Sequence, residues 1–225
     1  MSSFSPNFPL FFKLTCSRFV CATRTGNTEV AIFRSYDTTE PELLFEECKI
    51  WEACRATSAA TTFFDPIKIG RYSQEFADGG VLYNNPIQLV EQEASAIWPD
   101  RMESAVMVSI GTGSAPGGAF RGSLEKIIKA MREIVTKSEK THDNFFRAHK
   151  EMVHQNRYHR FNVFYGLADV GLEESKEKEK MANTTQTYLA KGETQSLLNS
   201  CIQQLCKSGP PRVGPSPVGE LNLVT

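Results

Sequence analysis

The chain lacks most of the signals that would name a function class at once. Its 225 residues contain no C-x-x-C pair and no H-E-x-x-H, so the common spacings of zinc ribbons and helical metalloproteases are missing. Charge of one sign is not in excess: 25 Lys and Arg face 26 Asp and Glu, for a formal net charge of -1. That balance removes the electrostatic case for nucleic-acid binding and for a polybasic membrane anchor. No window approaches the roughly 20 apolar residues of a membrane-crossing helix. The first apolar run is short, is broken by Pro6 and Pro9, and has no basic residue before it, unlike a secretory signal. The expectation is a soluble, cytoplasmic chain, with peripheral membrane contact still open and no indication of a protein partner.

Cysteine is present but not arranged for metal or redox work. Cys16, Cys21, Cys48, Cys54, Cys201 and Cys206 sit largely in apolar segments and read as reduced, small core residues. His142, His149, His154 and His159 are spaced by seven, five and five residues, which does not repeat one helix face, so they read as surface histidines. No metal and no cofactor are expected. The sequence Asn183-Thr-Thr185 fits a glycosylation acceptor formally, but without a secretion signal it is expected to be idle.

What is present is an ordinary globular composition, 40% hydrophobic and 23% charged, in an alternating pattern. Short apolar runs at 18–23 and 30–35, with Thr25-Gly-Asn27 between them, read as two strands and a turn. Apolar residues recur with helical spacing between 43 and 60, where small residues at 56–60 permit close packing. Residues 67–69 and 75–77 are strand candidates, and the second runs into Asp78-Gly79-Gly80. Asn84-Asn85-Pro86 opens a helix that should stop before Pro99, with Pro86 at its first position. The run AVMVSI at 105–110 is apolar almost throughout, as expected of a strand covered by helices on both faces. A long amphipathic helix follows, with Leu124, Ile127, Ile128, Met131 and Val135 on one stripe, and helical patterning resumes at 144–153. A strand is predicted at 160–165, a solvated charged helix face at 173–180, and a last helix at 195–206. The order predicts an α/β layered domain at 16–207, after an irregular leader at 1–15 and before a Pro/Gly-rich disordered tail at 208–225.

Four segments in order carry a family resemblance: FVCATR at 19–24, IWEACRATSAA at 50–60, FADGG at 76–80 with NNP at 84–86, and VSIGTG at 108–113. Together they resemble the C-terminal part of a patatin-like phospholipase domain, over about residues 16–190. The resemblance implies a three-layer α/β/α sandwich with a mainly parallel central sheet, incomplete at its N-terminal side. It also implies a metal-free serine acyl hydrolase acting on lipid esters through a Ser-Asp dyad. Asp78, in the motif Asp78, Gly79, Gly80, matches the dyad aspartate that orients and deprotonates the serine hydroxyl. A carboxylate after an apolar strand end, followed by two glycines, also sits where backbone approaches a ligand closely. Partial burial there would raise its pKa towards a general base's range. The competing reading of the same residues is an Asp-Gly-Gly turn satisfying local amides.

The chain departs from the family in two respects: no G-x-S-x-G occurs in it, and no Gly-rich oxyanion loop precedes Asp78. That elbow projects the serine oxygen into the site, and an upstream Gly-rich loop supplies oxyanion donors. The glycine-rich stretch at 117–122 lies after Asp78, the wrong order for such a loop. Ser114 is followed two residues later by Pro116, and Ser58 reads as a packing residue in a small-residue helix. The chain is therefore expected to hold the dyad base without its nucleophile and to be inactive alone. Without a nucleophile strand its sheet has an open edge, which predicts marginal stability or aggregation. The alternative is a non-catalytic binding module derived from the same fold.

Overall fold

The structure, a computed structural model, describes residues 16–37, 47–60, 63–113, 124–167, 170 and 175–208, with the backbone alone at 81, 124–132, 135, 175 and 208. The expected leader and all of the tail beyond Ser208 lie outside these residues, as do Ser114 and the stretch at 117–122.

The first half builds a four-stranded sheet. β1 (Phe19–Arg24) and β2 (Val30–Arg34) form a hairpin in the register Phe19↔Arg34 to Thr23↔Val30. Its turn is closed by Thr28 N–H donating to the Arg24 carbonyl at 2.9 Å. β3 (Ile67–Ile69) and β4 (Gln74–Asp78) form a second hairpin, turning through Gly70 at φ 75° and Ser73 at φ 49°. β4 lies against β1 with Ala22 opposite Asp78, and the strand order is β2-β1-β4-β3. Helix α1 (Ile50–Thr57) covers one face. It starts where the Glu52 carboxylate accepts the Lys49 N–H at 2.8 Å, satisfying an otherwise unpaired amide of the first turn. Ala53 and Ala56 of α1 meet Ala22, Ala31, Phe33, Ile69 and Phe76 in one core. Phe33 and Phe76 cross edge to face with ring centres 5.2 Å apart. The helix is shorter than the periodic segment because Lys49 is extended, at φ -90° and ψ 157°, and starts it at Ile50; residues 43–46 of that segment lie outside the described residues.

The second half builds on a parallel pair. β5 (Met107–Ile110) lies beside β6 (Tyr158–Phe161) in the register Met107↔Tyr158 to Ile110↔Phe161. The short α2 (Gly80–Tyr83), α3 (Ile87–Ile97) and a 3-10 turn (Pro99–Ser104) lead from β4 to β5, and α4 (Leu124–Ala148) and α5 (Lys150–His154) run between β5 and β6. Ile87, Met107, Phe145, Met152 and Tyr158 form its core. α6 (Lys178–Leu189) and α7 (Gly192–Ser208) complete the described chain. No helix among the described residues is long and apolar enough to cross a membrane.

The two halves are clamped by a charged fork. Arg34 of β2 donates two hydrogen bonds to Glu93 of α3 at 2.6 and 2.7 Å, and the Tyr36 hydroxyl adds a third at 2.7 Å. The Arg34 fork holds the Glu93 carboxyl below its ordinary 4.5. The stabilisation is thus fully present above that value and is lost as acid carries the pH through the lowered one. Glu93→Gln is expected to cost about 2 kcal/mol at neutral pH. Urea unfolding at pH 7 and at pH 3 checks this: the gap between variant and parent should narrow in acid.

Several expectations change. The α/β class stands, but the four-stranded sheet is antiparallel throughout, and among the described residues parallel pairing is confined to β5 and β6. β5 is not covered on both faces: Met107 and Ser109 are buried, while Val108 is 40% and Ile110 78% exposed. Its apolar run therefore consists of one core face and one open face. Pro86 precedes α3 by one residue, and α4 runs unbroken through residue 148. The stripe from Leu124 to Val135 has no described side chains. The histidines are not a surface set. His159 is buried, and His142 is half-buried against the Tyr158 hydroxyl at 2.8 Å. His149 pairs with Glu91 at 2.6 Å, which leaves His154 exposed. Of the six cysteines, none is bonded to another; Cys21, Cys48 and Cys201 are buried as expected, whereas Cys16, Cys54 and Cys206 are exposed.

Candidate active site

Asp78 is the last residue of β4, and the surrounding strands hold its backbone on two sides. Its N–H donates to the Ala59 carbonyl at 3.0 Å, just beyond the end of α1. Its own carbonyl accepts the hydroxyl of buried Thr23 from β1 at 2.9 Å. The side chain is half-buried, and Oδ1 accepts the Gly80 N–H at 2.5 Å. Among the described residues the second carboxylate oxygen has no partner, and no serine or threonine hydroxyl reaches the carboxylate. Burial raises the Asp78 pKa above the ordinary 3.8, and the Gly80 amide partly offsets that. One oxygen thus serves the turn while the other remains available to a proton donor.

The two glycines that follow have separate reasons. A Cβ on Gly79 would lie 2.2 Å from the Cys21 carbonyl oxygen and 2.6 Å from its carbon, so β1 backbone occupies that space. A Cβ on Gly80 would lie 2.9 Å from Asp78 Oδ1, a side-chain atom. The first glycine lets β4 leave the sheet; the second leaves the carboxylate in place.

The other motif segments are joined by a polar network. The Asn84 amide donates to the Ser138 hydroxyl at 2.8 Å, and Asn85 donates to the Ser138 carbonyl at 3.2 Å. Ser109 of β5 donates to Asn85 Oδ1 at 3.2 Å. Arg160 of β6 donates to Ser109 at 2.8 Å and to Glu139 at 2.6 Å. Glu139 also accepts from Asn162 at 3.1 Å, whose Oδ1 takes the Gly113 N–H at 2.9 Å. Gly113 sits at φ 100°, where a side chain is strained, and a Cβ on Gly111 would strike Asn162 Oδ1 at 2.3 Å. Asn84-Asn85 and the Gly111-Thr-Gly113 loop are thus positioned by one set of side chains on α4, on β6 and immediately after it.

Sequence reasoning missed Ser138, Glu139, Arg160 and Asn162. Two polar residues at i and i+2 closing an apolar strand were a usable signal for Arg160 and Asn162. Ser138 and Glu139 on a polar helix carry no such mark. Ser58 is not a packing residue: it is exposed at the end of α1, and its hydroxyl is spent on the Cys54 carbonyl at 2.7 Å. No group of three or more His, Cys, Asp or Glu residues suited to a metal occurs among the described residues.

Comparison with known proteins bears on the same region. Residues 3–90 match the family described as Patatin-like phospholipase. The match begins inside the segment read as a leader, contains Asp78-Gly79-Gly80 and Asn84-Asn85-Pro86, and stops before the loop at 111–113. The chain is 30% identical over 159 residues to calcium-independent phospholipase A2-gamma of Mus musculus, covering 68% of this chain and 20% of that protein. It is 38% identical over 77 residues to Phospholipase A I of Arabidopsis thaliana, covering 33% of this chain and 6% of that protein. With human calcium-independent phospholipase A2-gamma it shares 42% identity over 65 residues, 29% of this chain and 8% of that protein. The chain thus spans a fifth or less of the length of these relatives.

Proposed function

We propose that the chain is the Asp78-bearing portion of a lipid acyl hydrolase, a reading supported by the match of residues 3–90 to the family described as Patatin-like phospholipase. In the completed site Asp78 is the dyad base. Its free oxygen takes the proton of a serine hydroxyl, and the serine oxygen attacks the ester carbonyl. The displaced alcohol leaves with a proton, and water then releases the fatty acid from the acyl-serine. The carrying observation is the half-buried carboxylate with a raised pKa and one oxygen unengaged among the described residues. A carboxylate with a raised pKa is a stronger proton acceptor than an exposed aspartate.

On this reading the serine and oxyanion donors lie in a segment that this chain does not contain, and the three-layer sandwich is a property of the joined domain. Lipid esters are the substrate class, with cytoplasmic placement and peripheral membrane contact. No metal or cofactor takes part, because the dyad chemistry is complete with serine, carboxylate and water. The second reading, a non-catalytic binding module, draws on the same missing hydroxyl and on the open face of β5.

The test is the purified chain with a short-chain aryl ester and a fluorophosphonate label for nucleophilic serines. Neither turnover nor labelling is expected. Turnover that disappears in Asp78→Asn would mean that this chain supplies its own nucleophile, and the portion reading would be wrong.

A further inference from the structure

Two cavities adjoin at the carboxyl ends of β5 and β6, on the side of β5 that faces away from the core. The first, of about 580 Å³, lies between the strand pair and α6–α7. Val108 and Ile110, Met181 and Leu189, and Leu198 and Ile202 are in its wall, which among the described residues carries no charged side chain. The second, of about 610 Å³, has a mixed wall, in which Lys191, Arg160 and Glu193 stand beside Phe164, Tyr165 and Leu197. Val163 and Tyr188 belong to the walls of both.

Each half selects one part of a ligand. A wall without charge rejects a headgroup, because an ion entering it would lose its water without gaining a partner. It favours hydrocarbon, and the volume falls in the range of ordinary ligand sites. Ile110, Ile202 and Leu205 are 78%, 48% and 49% exposed around the opening, apolar surface that a bound chain would take out of water. In the second cavity, which alone carries charge, Arg160 is already committed to Glu139 and Ser109. Lys191, whose Nζ lies 5.7 Å from the centre of the Tyr165 ring, is the cation facing an incoming anion. Glu193 on the same wall disfavours a second negative charge, so a carboxylate fits better than a phosphate dianion.

We propose that the paired cavities bind a long-chain fatty acid, its tail between β5–β6 and α6–α7 and its carboxylate towards Lys191. The choice of a fatty acid over another aliphatic chain rests on the acyl-hydrolase reading. The cavities themselves do not include Asp78, so the two assignments fail separately.

The experiment is a titration of the full chain with cis-parinaric acid, a fluorescent 18-carbon fatty acid, followed by displacement. One molecule per chain is expected to bind, displaced by palmitate and not by butyrate. Ile110→Glu places a charge at an exposed position of the opening, where the fold is spared, and should weaken binding at least tenfold. Lys191→Gln should weaken palmitate severalfold and leave hexadecanol unchanged, while Asp78→Asn should bind as the parent does. Cooperative unfolding of each variant confirms that a folded protein was titrated. Equal affinity in Ile110→Glu, several equivalents bound, or no uptake by a cooperatively folded chain would each overturn the site.

Discussion

Asp78→Asn is expected to lower ester hydrolysis by about a thousandfold when the chain is joined to the G-x-S-x-G-bearing segment of its family, while making the protein more stable at pH 8. The activity loss follows from removing the base: an amide has no acceptor of comparable basicity for the serine proton, and general-base contributions commonly reach about 10² to 10⁴. The stability gain follows from burial. The Asn carbonyl oxygen keeps the bond from the Gly80 amide, now 2.5 Å long, and removes the charge that burial disfavours. A group whose folded pKa is raised favours the fold below its ordinary value, and that advantage is lost as pH rises through the raised one. Parent and variant should therefore unfold alike well below the ordinary 3.8 and diverge at pH 8, with the variant ahead by less than about 1 kcal/mol. Paired measurements of turnover and urea midpoint decide the matter. A variant that keeps a tenth of the activity, or that is less stable at pH 8, would return Asp78 to the turn-forming role that its Gly80 contact also allows.

Gly79→Ala should abolish folding, or cost more than about 3 kcal/mol, at the upper end of what overpacking does. The obstacle is backbone: the added methyl would meet the Cys21 carbonyl oxygen at 2.2 Å and the Ala22 nitrogen at 3.1 Å. β1 cannot retreat, since β2 pairs with it on one edge and β4 on the other. The same carbonyl also accepts the Thr57 hydroxyl at 2.7 Å, so a shift would loosen α1 as well. Soluble yield and the urea midpoint report the result. A midpoint equal to the parent's would mean that β4 leaves the sheet by another path. Gly80→Ala offers the contrast, because its methyl would press on a carboxylate that can turn, so the site should suffer more than the fold.

Much of the local structure was readable because it is locally encoded. The runs at 18–23, 30–35 and 67–69 became β1, β2 and β3 within one residue at each end, since each is a short apolar stretch bounded by turn residues. α3 ended at Ile97, short of Pro99, as the proline required. The glycines after Asp78 read as backbone approaching a ligand, whereas the space beside Gly79 is filled by the β1 backbone at Cys21. Other parts were illegible because they depend on distant residues. Whether β5 has one covered face or two cannot be read from AVMVSI, because both arrangements suit an apolar run. His159 looked like a surface residue until β6 was placed beside β5, and Glu139 is one charge among many on α4 until Arg160 and Asn162 reach it.

By itself, the sequence determined the α/β class, the order of elements, and the family motif that singles out Asp78, since periodicity and turn chemistry act within a few residues. Only the tertiary structure decided that β4 runs antiparallel to β1, that Asp78 keeps one oxygen unengaged among the described residues, and that β5 and β6 border a pair of adjoining cavities. Those features come from pairings between residues some 50 positions apart, such as Thr23 with Asp78 and Ser109 with Arg160. Such contacts form because burial leaves polar groups no other partners.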